Sequence, residues 1–365
     1  MAEDIPADTS LGLALDANQN PAVAFSYNVP GEVSVRVVRC ADPACEVAGE
    51  PGYLAAGTAP ALQVIDFHLS PGDRPAAALD HPGEYALFER CETPDCDGAL
   101  GSLLSFTPSP NSNYSIAYGT AGFPVVSFQE DGLVAAFCTT NDCFTDEVTV
   151  RPIDTSDPGV GQYNTVEIHP TTGFPVFAYS DQGGNLKIAF CSDVDCLGAR
   201  TVETLSTDGT QGSGISLVFE DGNPVVVSRT SDTGDQRIRW IRCMDTACNQ
   251  TQTYIVDGPH SGLGSTPPLM SYRNDNDEGF RIGFYQRDAG TLNLLYASTL
   301  VGKGFDVDCN GYYDALDAQI LLRSLAGLEE NATPVEPCDL DVNDDTFFNM
   351  LDVLWMRRLA AGFFS

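Results

Sequence analysis

Residues 174–196 read FPVFAYSDQGGNLKIAFCSDVDC, and the reading of this stretch governs the reading of most of the chain. An apolar run from Pro175 to Tyr179, a polar turn at Asp181-Gln182-Gly183-Gly184 and an alternating run from Leu186 to Phe190 predict two strands joined by a hairpin. Cys191 and Cys196 close its far end with Cys-x4-Cys spacing.

The phrase recurs. Pro21–Phe25 leads to Cys40 and Cys45, Pro75–Ala78 to Cys91 and Cys96, Phe123–Val126 to Cys138 and Cys143, and Pro224–Val227 to Cys243 and Cys248. A sixth copy, Phe280–Phe284 with Leu292–Ala297, keeps the strands and lacks the cysteines. A short apolar strand precedes each copy: Leu11–Leu15, Val64–Phe67, Ser115–Tyr118, Thr165–Ile168, Ile215–Phe219 and Pro268–Tyr272. A fourth follows the cysteines, as at Thr201–Leu205 and Thr251–Val256. Four short antiparallel strands at a period of about fifty residues describe a propeller blade. The expected fold is therefore mainly β, a six-bladed β-propeller over residues 1–302, followed by a small second domain over residues 303–365. The sixth unit is short of a fourth strand, which residues 1–10 are expected to supply.

Gly173–Cys196, with Pro124–Cys143 close behind it, resembles a family of secreted bacterial repeats reading Gly-x-Pro-Val-x-x-Tyr … Leu-Lys-x-Ala-x-Cys-x4-Cys. That resemblance covers most of the chain and implies architecture rather than activity.

Composition narrows the function. The chain has 365 residues, with 51 acidic against 18 basic side chains and a formal charge of -33. Such a charge disfavours nucleic acid and anionic membrane surfaces as partners, and leaves calcium and cationic surfaces open. Lys187 and Lys303 are the only lysines, and an acid-rich, lysine-poor surface suits a saline setting. No apolar run is long enough to span a bilayer. The twelve cysteines form five Cys-x4-Cys pairs plus Cys309 and Cys338, an even framework that predicts disulfides and an extracellular location. A zinc site is disfavoured, because neighbouring pairs lie about fifty residues apart in different repeats. Met1-Ala2-Glu3-Asp4 shows no secretory leader, so export implies a signal removed upstream.

No nucleophile elbow, phosphate loop or zinc-protease helix is present, and no catalytic residue is assigned. His68 and His169 read as occupying the same place in two repeats, which favours a turn role. The turns Asp16–Asn20, Glu130–Gly132, Glu220–Asn223 and Asn274–Gly279 supply Asp, Asn and Gly for positive φ, and acidic turns can also hold calcium. The stretch Gln236–Arg242 places Arg237 and Arg239 on one strand face and Trp240 and Arg242 on the other. It reads either as an outer strand with charged faces or as a carboxylate clamp. The longer connections around residues 56–63, 106–113, 152–162 and 258–267 are expected to gather on one rim, where function concentrates. Asn113-Tyr-Ser, Asn249-Gln-Thr and Asn331-Ala-Thr match the glycosylation acceptor pattern at about chance frequency.

After Lys303 the grammar changes. Asp306, Asp308, Asn310, Asp314 and Asp317 put side-chain oxygens at loop positions 1, 3, 5, 9 and 12, with Gly311 at the sharp turn and an apolar helix-forming stretch behind them. The pattern returns 35 residues later with Asp341, Asn343, Asp345, Asn349 and Asp352, again followed by a helix-forming stretch. Two such loops, each leading into a helix, strongly resemble a type I dockerin.

The resemblance implies two calcium ions, one held by Asp306, Asp308, Asn310, the Tyr312 carbonyl, Asp314 and Asp317, the other by Asp341, Asn343, Asp345, the Phe347 carbonyl, Asn349 and Asp352. It also implies a cohesin-type partner contacted by Ala315, Leu316 and Arg323, and by Met350, Leu351 and Arg358. These positions are more apolar than the family's usual polar pair. Thr346 stands where the family carries glycine, at a cost of about 1–2 kcal/mol if the residue takes positive φ. Cys309 and Cys338, the only cysteines outside the repeats, are expected to join.

The leading expectation is thus a secreted, non-enzymatic binding or assembly protein. A polysaccharide-active hydrolase or lyase with its site on one rim is the alternative, and a self-assembling filament subunit a third.

Overall fold

The computed structural model describes residues 11–300, except residues 19, 30–31, 42–47, 58–62, 82–84, 105–112, 142, 144–146, 208–213, 230–237, 257–268, 274–278 and 289–290. The dockerin-like segment, the N-terminal ten residues, Cys45, Arg237, Cys309 and Cys338 lie outside the described residues.

The strands form successive antiparallel meanders. β1 (Leu11–Leu15), β2 (Pro21–Val29), β3 (Glu32–Arg39) and β4 (Gly52–Gly57) make the first sheet. β5 (Gln63–Ser70), β6 (Arg74–His81), β7 (Tyr85–Cys91) and β8 (Ala99–Leu104) make the second. The third contains β9 (Ser115–Tyr118), β10 (Pro124–Gln129), β11 (Leu133–Cys138) and β12 (Val148–Asp154). The fourth contains β13 (Asn164–Ile168), β14 (Pro175–Ser180), β15 (Leu186–Cys191) and β16 (Arg200–Ser206). The fifth contains β17 (Ile215–Glu220), β18 (Asn223–Arg229), β19 (Ile238–Cys243) and β20 (Thr251–Val256). A sixth sheet has three strands among the described residues, β21 (Leu269–Arg273), β22 (Gly279–Asp288) and β23 (Thr291–Leu300). Residues 298–300 finish β23.

Residues 1–231 with 239–254 form one compact unit, and residues 232–238 with 255–365 form another. Within the first unit, β1 lies beside β5, β5 beside β9, β9 beside β13, and β13 beside β17. Four-stranded meanders fanned along their first strands are the propeller-like arrangement that the repeats predict.

Sequence explains each strand's place. The middle strands β10 and β14 are buried at every residue, because sheets pack on both of their faces. They are correspondingly apolar almost throughout, PVVSFQ and PVFAYS. The last strand β16 is largely exposed and β12 mostly half-buried; both carry Thr and Arg, with Glu203 in β16 and Asp154 in β12. Between the second and third sheets Ala76, Ala78 and Phe88 meet Ile116, Val126, Phe128 and Ala136. Between the third and fourth, Leu133, Phe137 and Ile153 meet Val166, Phe177 and Tyr179. A side chain of this size, fully buried, contributes roughly 1.5–3 kcal/mol.

The Cys-x4-Cys loops are built alike. Cys91–Cys96, Cys138–Cys143, Cys191–Cys196 and Cys243–Cys248 are disulfides with Cα atoms 4.8, 5.0, 5.0 and 4.7 Å apart. Cys40 is also disulfide-bonded. In each of these four loops the second cysteine takes positive φ, at 59°, 55°, 53° and 56°. That conformation is uncommon for a side chain other than glycine. The third loop residue compensates: the Asp193 carboxylate accepts from the N–H groups of Asp195, Leu197 and Gly198, and Asp245 from Ala247, Asn249 and Gln250. In the second sheet Thr93 Oγ1 takes this place, accepting from Asp97 N.

Neighbouring first strands belong to different sheets, so side chains join them. Asp66 Oδ2 accepts from Ile116 N at 2.7 Å, and fifty residues on Ser115 Oγ accepts from Val166 N at 3.2 Å. Sequence patterns carried no sign of this belt.

Candidate functional site

Among the described residues, polar side chains gather on the connection side of the third and fourth sheets and along the first strands. The first starts from the connection 152–162. Asp157 Oδ1 accepts from Gly159 N, Gln129 Nε2 donates to the Pro158 carbonyl, and Gly161 N donates to the Ser180 carbonyl. Buried Asn164 donates to the Asn113 and Gly161 carbonyls and accepts from Ser127 Oγ. The connection is thereby held against the β14–β15 hairpin. A Cβ on Gly159 would lie 2.9 Å from Gln182 Cγ, so a larger residue would displace the Gln182 side chain.

Between connection and hairpin lies an open depression of about 430 Å³ lined by Ser156, Asp157, Val160, Asp181, Gln182, Gly183 and Lys187. Opposite Leu186 and Lys187 the partner strand β16 bulges at Leu205. Lys187 Nζ lies 3.3 Å from Asp181 Oδ2 and 3.9 Å from Asp154 Oδ2 on the neighbouring sheet. The hydroxyl of fully buried Tyr179 donates to Asp154 Oδ2 at 2.7 Å, and Asn185 donates to Asp181 from both its backbone N and Nδ2. With Nε2 turned toward Asp157, the Gln182 amide donates to both carboxylate oxygens at 2.8 and 2.9 Å. Burial pushes the Asp154 and Asp181 carboxyls up. Hydrogen bonds from Ser156 and Tyr179 on the one, from Asn185 on the other, and the Lys187 ammonium on both outweigh it and hold them below the usual value. Burial and the adjacent Asp154 raise the Tyr179 phenol.

The second gathering comprises Asp66 and His68 on β5 and Glu167 on β13. His68 Nε2 lies 3.6 Å from Asp66 Oδ2. Burial pushes the Glu167 carboxyl up to about 7, His68 opposing and Asp66 adding to the shift. The cross-strand pairs His68↔Ala76 and Glu167↔Val176 put these residues at one register, where the other sheets of this unit hold Ala14, Ala117 and Val218.

That register corrects the sequence reading of the histidines. His68 is equivalent to Glu167, and His169 to Ser70, two residues further on. His169 is nevertheless a turn residue, as expected. Its Nδ1 accepts from Thr171 N at 3.1 Å and Thr172 N at 3.3 Å, and its ring lies 5.0 Å from that of Phe219. Burial lowers its pKa, keeping the ring in the neutral form those bonds need.

The arginine stretch is corrected too. β19 is the third of four strands rather than an outer one, and Arg239 and Trp240 are buried. Arg239 Nη1 donates to Ser206 Oγ at 2.6 Å, and Arg242 Nε lies 2.5 Å from Glu220 Oε2. Both guanidinium groups serve neighbouring strands and turns. The turns at Asp131-Gly132 and Asp221-Gly222 have the positive φ their composition predicts.

Sequence reasoning missed Asp154, Asp157, Tyr179, Gln182 and Glu167. Only Lys187 carried a signal, as one of two lysines in an acidic chain.

No protein-family model matches the sequence, and no curated protein matches it. Solved structures share the fold. A protein of unknown function from Dyadobacter fermentans DSM 18053 aligns with a TM-score of 0.56 at 14% identity, over 79% of this chain and 93% of its own. An ulvan lyase of a new polysaccharide lyase family gives 0.53 at 9%, over 78% and 79%. A triple arginine-to-alanine mutant of AofleA from Arthrobotrys oligospora gives 0.52 at 12%, over 80% and 87%. The four disulfides fit an oxidising compartment, and among the described residues no helix is long and apolar enough to cross a membrane.

Proposed function

We propose that this chain is an extracellular binding and assembly protein, with a six-bladed β-propeller as its body and a calcium-loaded dockerin-type module as its anchor to a cohesin-type partner. The observation that carries this reading is the pair of loops Asp306–Asp317 and Asp341–Asp352, each followed by an apolar helix-forming stretch. Their side chains are all-oxygen donors at EF-hand spacing, the set that hard Ca²⁺ prefers. Without the ion the clustered carboxylates repel each other, so metal binding and folding of the module are coupled. Calorimetric titration of the decalcified protein should show two calcium events, one lost in Asp317→Ala and the other in Asp352→Ala. Saturation that depends on neither aspartate would overturn the reading.

A second reading rests on one observation, the Glu167 carboxyl at about 7 beside His68 and Asp66. A carboxyl poised there can act as general acid or base near neutral pH, and an ulvan lyase shares the fold. On this reading the chain cleaves an acidic polysaccharide, and Glu167→Gln lowers the rate at least ~100-fold. Incubation with ulvan that releases no shorter chains at any pH from 5 to 9 rules that reaction out.

A further inference from the structure

We propose that the depression between the third and fourth sheets is a saccharide site that selects a sugar unit bearing a free amino group. The inference rests on the reading of the propeller as a binding body and names what that body binds. The cavity volume of about 430 Å³ falls in the range of small-molecule sites, roughly 300–1,000 Å³. Its lining suits hydroxyl groups: with its amide nitrogen on Asp157, the exposed Gln182 side chain leaves its carbonyl oxygen as an acceptor near the Lys187 donor, over the buried side chain of Val160. Lys187 has three N–H donors, and its two carboxylate neighbours leave one for a ligand.

Charge then selects among sugars. Asp157 and Asp181 line the depression and Asp154 lies behind Lys187, the one cation among the lining residues, so these four groups carry an excess of two negative charges. An acidic sugar is repelled, a neutral one tolerated and an ammonium-bearing one attracted. The groups are fixed in advance by Tyr179, Asn185 and Gly159 N, which lowers the ordering cost of binding. The position of Lys187, four residues before the first cysteine of its pair, holds a cation in two other sheets as well, Arg36 in the first, over the Tyr27 ring at 4.0 Å, and Arg239 in the fifth, whereas the third has Val134 there.

The test titrates the full chain, with and without calcium, with four probes: a β-1,4-glucosamine tetramer, its fully N-acetylated counterpart, cellotetraose and spermidine. The glucosamine tetramer should bind best, acetylation should weaken it at least tenfold, and Asp157→Asn and Gln182→Ala should each weaken it at least fivefold with an unchanged melting temperature. Binding should persist in Asp317→Ala and Asp352→Ala, which separates this site from the calcium anchor. Absence of saccharide binding, affinity for spermidine equal to that for the tetramer, or indifference to both Asp157→Asn and Gln182→Ala would each overturn the proposal.

Discussion

Gly52→Ala is expected to lower stability by about 3 kcal/mol, an overpacking cost at the upper end of the usual range. The added Cβ would lie 2.4 Å from the Asp95 carbonyl oxygen and 2.5 Å from Cys96 Cβ. Neither atom has room to move. Asp95 and Cys96 belong to the disulfide loop of the second sheet, where Cys96 is held at positive φ and its N–H donates to the Thr93 carbonyl. The strain therefore falls on the junction between the first and second sheets, and the unfolding midpoint should drop by roughly 6–12 °C. A drop below about 2 °C would show that the junction yields. Reduction of the disulfides should lessen the penalty, because the loop then relaxes away from β4.

Lys187→Met should cost about 2 kcal/mol at pH 7. It removes the one cation between Asp154 and Asp181, whose side chains are only 10% and 14% exposed. That is less than the roughly 3–5 kcal/mol of a fully buried broken pair, since solvent still reaches both carboxylates. The pH dependence gives the cause away. Both carboxyls are held below their usual value of 3.8. Their stabilisation is complete above about pH 4 and is lost as pH falls through the lowered values. The stability gap between the parent protein and the Lys187→Met variant should therefore be constant above about pH 5 and narrow as pH falls below the usual carboxylate value, measured by urea unfolding across acidic and neutral pH. A penalty independent of pH would instead mean that the lysine acts through the packing of its aliphatic stem.

The strands were the most legible part of the fold. Leu11–Leu15, Ser115–Tyr118 and Thr251–Val256 are read from sequence with the bounds the structure gives them, because an apolar run between Gly, Asn and Asp clusters marks a strand and its turns together. The staples were equally legible, since Cys-x4-Cys fixes a closure across one hairpin end. The histidines were not. β5 runs from Gln63 to Ser70 and β13 from Asn164 to Ile168, so matching the two stretches by eye slips by two residues. A slip of two keeps the strand face and leaves the apolar pattern intact, so nothing in the pattern reveals it. Glu167 was hidden for a related reason. One acid among 51 has no signature until the strand register places it level with His68.

By itself the sequence determined the repeat, the strand order within each sheet, the disulfides of the repeats and the spacing of the two aspartate-rich stretches of the C-terminal segment. All of these depend on residues close in the chain, whose spacing encodes period two, a turn or a ligand loop. The tertiary structure alone decided which side chains meet across sheets: Asp66 with the N–H of Ile116, Lys187 with Asp154, and Gly52 with the loop of Cys96. Alternation tells a residue which face of its own sheet it occupies. Its neighbour on that face belongs to another repeat, and the stacking of the two sheets fixes who it is.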